Sequence, residues 1–163
     1  MSSRTDQFDR IVRSHASAVH RYSLFLLRDS WVADDVVQET FLRAWRNWDA
    51  FSRVNNHEAW LITVCRNVAL DVMRRRRPTL PIDDKVEAQR FADWRIDDAV
   101  TYRLNRLSLE HREVVFFVDV LGYDYATLSE VLDVPVGTIR SRLSRARDQL
   151  RENEVRGVDM ESA

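Results

Sequence analysis

The 163-residue chain has one cysteine, three glycines, three prolines and a single lysine, Lys85. A lone cysteine, Cys65, excludes an internal disulfide and a cysteine-rich zinc site. So few glycines and prolines leave little material for turns and point to a mostly helical chain. No apolar run approaches the ~20 residues that span a bilayer, which argues against membrane insertion. The N-terminal MSSRTDQFDR lacks the apolar centre of a signal peptide, so the expected location is cytoplasmic. No nucleophile–base constellation, metal-ligand cluster or phosphate-binding glycine loop is visible, which argues against an enzyme and implies no cofactor. Net charge is −1 although 31% of residues are charged, so affinity for nucleic acid has to come from local clustering.

Such clusters exist. Arg74 to Arg77 form one block, and the stretch from Asp124 to Arg151, DYATLSEVLDVPVGTIRSRLSRARDQLR, carries another. This stretch reads as helix, turn, helix. Asp124 is placed to cap a first helix with Leu128, Val131 and Leu132 on one side. Pro135 interrupts the helix, and Gly137 offers backbone angles that other residues resist. Ile139, Leu143, Ala146 and Leu150 then recur at intervals of four, three and four, which makes one apolar face. Ser141, Ser144, Arg145 and Asp148 fall opposite it, with Arg140, Arg142, Arg147 and Arg151 on the flanks. Short polar groups flanked by arginines suit a helix in the major groove, some side chains reading base edges and others gripping phosphates.

Upstream, Phe8, Ile11, Val12, His15, Val19, Tyr22, Leu26 and Leu27 recur at helical spacing. His15 and His20 are five apart, the wrong interval for two ligands on one face, and read as structural or solvated. Ser30 can cap a second helix, with Val37, Phe41, Ala44, Trp45 and Trp48 as its expected buried face. Its other side presents Asp35, Gln38, Glu39, Leu42, Arg43 and Arg46. Phe51 to His57 reads as a polar loop, and Asn55 with Glu58 resembles a capping box for a third helix. That helix ends in the arginine block before Pro78. Residues 78–97 read as an acidic linker, able to span on the order of 60 Å when extended, against ~34 Å for one duplex turn. Ser108 is placed to cap LEHREVVFFVDVL, with Gly122 closing it. The expected domains are 1–77 and 98–152, with a disordered tail over 153–163.

The ordered motifs resemble the extracytoplasmic-function sigma factors, small bacterial transcription initiation factors of the sigma-70 family. Ala33-Asp34-Asp35-Val36-Val37-Gln38-Glu39-Thr40-Phe41-Leu42-Arg43-Ala44-Trp45 is similar to their core-polymerase-binding segment in region 2. Ala59-Trp60-Leu61, Arg66-Asn67, Asp71 and Arg74 to Arg76 resemble the segment that opens and reads the −10 element. Leu109 to Val114, Gly122-Tyr123 and Pro135 to Arg147 resemble region 4 and its −35 helix. Leu109 stands where the family usually has proline, Asp124 where Ser or Thr caps, and Asp133 where Gly is frequent.

The resemblance implies an all-α fold of two small helical domains joined by a flexible linker, the second a helix-turn-helix domain. It implies that Asp35, Gln38, Glu39 and Leu42 bind core RNA polymerase at the coiled coil of the β′ clamp, with the β flap as a second contact. Phe51, Ser52, Arg53, Asn55, Asn56, His57, Arg66, Asn67, Arg74 and Arg75 would meet melted −10 DNA. Thr138, Arg140, Ser141, Arg142, Ser144, Arg145 and Arg147 would meet the −35 duplex, with Arg142 and Arg147 on phosphates. Promoter DNA and an anti-sigma factor are the further implied partners. Two other readings remain at this stage: a helix-turn-helix regulator that never enters polymerase, and an interaction protein whose basic helices bind acidic partners.

Overall fold

The computed structural model describes residues 3–76 and 103–161, with side chains described as far as Glu152. The expected linker, 78–97, lies outside the described residues. The chain divides into two compact units, Met1–Arg95 and Ile96–Ala163. Every regular element among the described residues is helical.

In the first unit the three long helices each begin on a side-chain cap. Ser3 accepts from the Asp6 N–H at 3.1 Å, and Asp6 accepts from the Ser3 N–H at 3.0 Å, a reciprocal box that starts α1 (Arg4–Leu27). Asp29 caps α2 (Ser30–Arg46) by accepting from the Val32 N–H at 3.2 Å. Ser30, the expected cap, is already helical; the extended backbone that a cap requires belongs to Asp29. A short α3 (Trp48–Phe51) follows. Asn56 then caps α4 (His57–Arg75), accepting from the Ala59 N–H at 2.9 Å, one residue after the expected Asn55. Glu58, in the first turn of α4, meets His15 at 3.0 Å.

α1, α2 and α4 pack pairwise around Val19, Tyr22, Leu61, Ile62, Cys65 and Ala69. The buried stripe of α2 is Val32, Ala33, Val36, Thr40 and Ala44; of the expected face Ala44 and, beyond the helix, Trp48 are buried, whereas Val37, Phe41 and Trp45 are half-buried. Small and β-branched residues fill the space between two neighbouring helices. Thr40 is tolerated there because its hydroxyl donates to the Val36 carbonyl at 2.7 Å. The bulkier Phe41 and Trp45 lie on the flank, where the Phe8 ring meets them at centroid distances of 6.4 and 5.1 Å. Burial pushes the Cys65 thiol up to about 12, so it packs as an inert apolar group.

Among the described residues, the second unit opens on helical residues 103–105, whose Leu104 is buried, as is Leu107 beyond it. Ser108 caps α5 (Leu109–Val115), which widens into a π turn over Phe116–Val120. Gly122 closes it at φ +73, in the left-handed region that disfavours a side chain. Asp124 caps α6 (Tyr125–Leu132), and Asp133 ends it at φ 52. The carbonyl of Pro135 accepts from Thr138 and Ile139 and opens α7 (Val136–Glu161). Gly137 sits in that helix without unusual angles, so no backbone constraint requires glycine there. Ile139, Leu143 and Ala146 are buried where α7 packs on α5 and α6, whose Val114, Leu128 and Val131 are buried too. At ~1.5–3 kcal/mol for each large aliphatic side chain, this seam holds α7 to the unit. The helix continues through Glu161.

Candidate nucleic-acid and polymerase interfaces

Because Ile139, Leu143 and Ala146 face inward, helical geometry turns Arg140, Ser141, Ser144 and Arg145 to solvent, and all four are exposed. The Ser141 hydroxyl donates to the Thr138 carbonyl at 3.1 Å. Thr138 itself is half-buried at the start of the helix. The Arg140 guanidinium lies 5.9 Å from the centre of the Tyr125 ring. Arg145 makes no side-chain hydrogen bond or ion pair among the described residues.

Arg142 and Arg147, the pair the sequence suggests for phosphates, each carry an ion pair to an acid of the same unit. Arg142 meets Glu110 at 3.2 Å, and Arg147 meets Asp119 through two hydrogen bonds, at 2.5 and 3.3 Å. Donating these hydrogen bonds to the Asp119 carboxylate raises the Arg147 pKa above its ordinary value. Both arginines are thus engaged within their own unit.

The loop before α4 divides in two. Ser52, Arg53 and Asn55 are exposed. Phe51, expected to meet DNA, is fully buried, with Trp60 and His57 rings at 4.8 and 4.9 Å from its own. An apolar ring beside the bundle core gains more from burial than from facing water, so Phe51 supports the loop from beneath. Asn56 is committed to its cap and His57 is half-buried. Farther along α4, Arg66 is half-buried, while Asn67, Arg74 and Arg75 are exposed. Arg74 pairs with Asp71 at 2.9 Å, and Arg76 reaches Asp29 at 3.3 Å.

On α2 the side away from the core carries Asp35, Gln38 and Leu42, all exposed, Leu42 to 46%. Glu39 is half-buried and bound to Arg43 at 2.7 Å, so it is pre-oriented along the same helix. Sequence reasoning missed Trp31, which is 73% exposed. Trp31, Asp35, Gln38 and Leu42 stand at i, i+4, i+7 and i+11, one continuous stripe. That spacing was the available signal, hidden because a tryptophan normally argues for core.

Among the described residues no group of three or more His, Cys, Asp or Glu could hold a metal ion. None of the described helices is long and apolar enough to cross a membrane.

Comparison with known proteins finds Sigma-70 region 2 over residues 11–79 and Sigma-70, region 4 over residues 97–150. The chain is 36% identical over 146 residues to the ECF RNA polymerase sigma factor SigM of Mycobacterium tuberculosis, covering 88% of this chain and 74% of that protein. It is 35% identical to SigE, also an ECF RNA polymerase sigma factor, of Mycolicibacterium smegmatis, covering 89% of this chain and 60% of the longer relative. Among solved structures, the sigma factor RpoE of Bartonella quintana, in complex with the anti-sigma factor NepR, matches with a TM-score of 0.71 and 27% identity. That match covers 90% of this chain and 95% of RpoE. CnrH in complex with the cytosolic domain of CnrY gives 0.70 and 26%, covering 89% of this chain and 85% of CnrH. With both sigma-70 regions in order on one chain, the protein belongs to the ECF RNA polymerase sigma factors.

Proposed function

We propose that the chain binds core RNA polymerase in the cytoplasm and directs promoter-specific transcription initiation, contributing recognition and no catalysis of its own. The observation that carries this reading is the presence of two separately built surfaces on one chain. The α2 stripe of Trp31, Asp35, Gln38 and Leu42 offers an apolar centre with polar edges, which suits a protein partner. The α7 face of Arg140, Ser141, Ser144 and Arg145 offers donors to base edges. A regulator acting without polymerase would have a use for the second surface only.

In this reading α2 docks on the coiled coil of the β′ clamp, and the second unit rests near the β flap. Ser52, Arg53, Asn55 and Asn67 receive the melted −10 strand, with Arg66, Arg74 and Arg75 along its backbone. Extruding a base costs a few kcal/mol of stacking, which polar contacts from the loop have to offset. The α7 face reads the −35 duplex. A guanine there matches the planar fork of Arg140 or Arg145, whose N–H groups reach O6 and N7 together. An anti-sigma factor that covers these surfaces would hold the chain inactive; the similar RpoE is found in complex with the anti-sigma factor NepR.

The deciding experiment is core-polymerase pull-down followed by run-off transcription on a promoter library. Initiation from a defined subset of promoters, dependent on the chain, is the expected outcome. Tight sequence-specific duplex binding without polymerase, and no stimulation of core, would establish the simple regulator instead.

A further inference from the structure

The recognition helix carries two kinds of arginine. Arg140 and Arg145 are exposed and form no ion pair among the described residues. Arg142 and Arg147 are each held by an acid on another helical element. Glu110 lies in the first turn of α5 and meets Arg142 at 3.2 Å; Arg142 is 21% exposed and Glu110 61%. Asp119 lies within the π turn and takes Arg147 through both carboxylate oxygens, at 2.5 and 3.3 Å. The π turn, closed by the Leu121 N–H on the Phe116 carbonyl at 3.0 Å, inserts one residue into the helical register. Asp119 sits in this wider turn on the side that meets α7.

A two-point arginine–carboxylate pair is stronger than a single exposed ion pair and fixes the guanidinium plane. A phosphate has to displace that carboxylate before it can use the same donors. Arginines that reach phosphates freely add affinity for every sequence alike, because the gain comes from released counterions rather than base edges. Neutralising some of them leaves a larger share of binding to groups that read bases.

We propose that Asp119 and Glu110 are specificity-determining residues of the second unit: they hold Arg147 and Arg142 off the DNA phosphates, so that Arg140 and Arg145 dominate the cationic contact of α7. This rests on the assignment of α7 as the −35 helix. It reverses the role that the sequence suggests for Arg142 and Arg147.

The test uses holoenzyme assembled from core polymerase and the full chain. Binding is measured on two duplexes with the same −10 element, one with the intact −35 and one with it scrambled, over a series of salt concentrations. Asp119→Asn and Glu110→Gln should each bind both duplexes more tightly. Each should steepen the plot of log affinity against log salt by about 0.9, the value for one added phosphate contact. Glu130→Gln, which removes an exposed acid on α6 with no arginine partner among the described residues, should leave the slope at the wild-type value. Both acids are at least partly exposed and the two sites are independent, so folding, checked by helical circular dichroism, is retained in one or both. Unchanged slopes in the folded acid variants, or an equal steepening by Glu130→Gln, would overturn the proposal. The wild-type arm tests the underlying assignment separately: wild type that ignores the scrambled −35 would show that α7 does not read it.

Discussion

The side-chain oxygen of Asn56 accepts the backbone N–H of Ala59 at 2.9 Å, while its neighbour Asn55 projects into solvent. The two asparagines therefore do different work. Losing a cap of this kind costs about 1 kcal/mol, within a range of about 0.5–2. Asn56→Ala should lower unfolding stability by about that amount, measured by urea titration. Asn55→Ala should leave the urea midpoint in place and alter preference among −10 variants in run-off transcription. Equal stability losses for both would mean that the cap is shared.

The α2 stripe predicts a second pair of outcomes. Leu42→Arg should weaken binding to core polymerase at least tenfold, because a charge would face the apolar centre of an interface. Trp31→Ala should weaken it as well, since a large exposed aromatic side chain gains most from being covered by a partner. Neither change should lower the midpoint of thermal unfolding, as both side chains are exposed in the free chain. Affinity equal to wild type in both variants would move the polymerase surface elsewhere on the unit.

On α7 the exposed Arg145 is expected to read a base. Arg145→Ala should cost roughly 1–3 kcal/mol at one −35 position and relax selectivity there. Arg147→Ala, by contrast, should change the salt slope little, since Asp119 already occupies that guanidinium. Holoenzyme binding to single-base −35 variants separates the two. A uniform loss for Arg145→Ala, with no position relaxed, would place its side chain on the backbone.

His57 gives the first unit a pH dependence. Burial, and then the nearby charge of His15, lower the His57 pKa below its ordinary value of 6.5, against a smaller raising contribution from the Phe51 backbone. The folded chain therefore holds His57 neutral more firmly than the unfolded chain does. Its contribution to stability is complete above pH 6.5 and is lost as pH falls through the lowered folded-state value. Urea midpoints taken between about pH 7.5 and about pH 5 should decline more steeply for wild type than for His57→Gln. Parallel declines would remove His57 from the account.

Much of the second unit was determined by local sequence. Ser108, Asp124 and Asp133 act within one helical turn of their own positions, as cap, cap and left-handed terminus. Ile139, Leu143 and Ala146 share a face by helical periodicity alone, so the exposed side of α7 followed without a partner being known. Tertiary structure decided matters where two local solutions were nearly equal. α2 carries adjacent stripes, Val36–Thr40–Ala44 and Val37–Phe41–Trp45, and a single residue step turns a helix by about 100°. Packing between α1 and α4 selected the smaller set and left the aromatic residues on the flank. Asn55 and Asn56 were equally plausible caps until the entry of the chain into α4 fixed which one was extended. The partners of Arg142 and Arg147 are distant in the chain, and no periodicity within α7 could show them. Helix faces are written in short-range spacing, whereas burial of one face among several and the pairing of distant charges arise only when the helices meet.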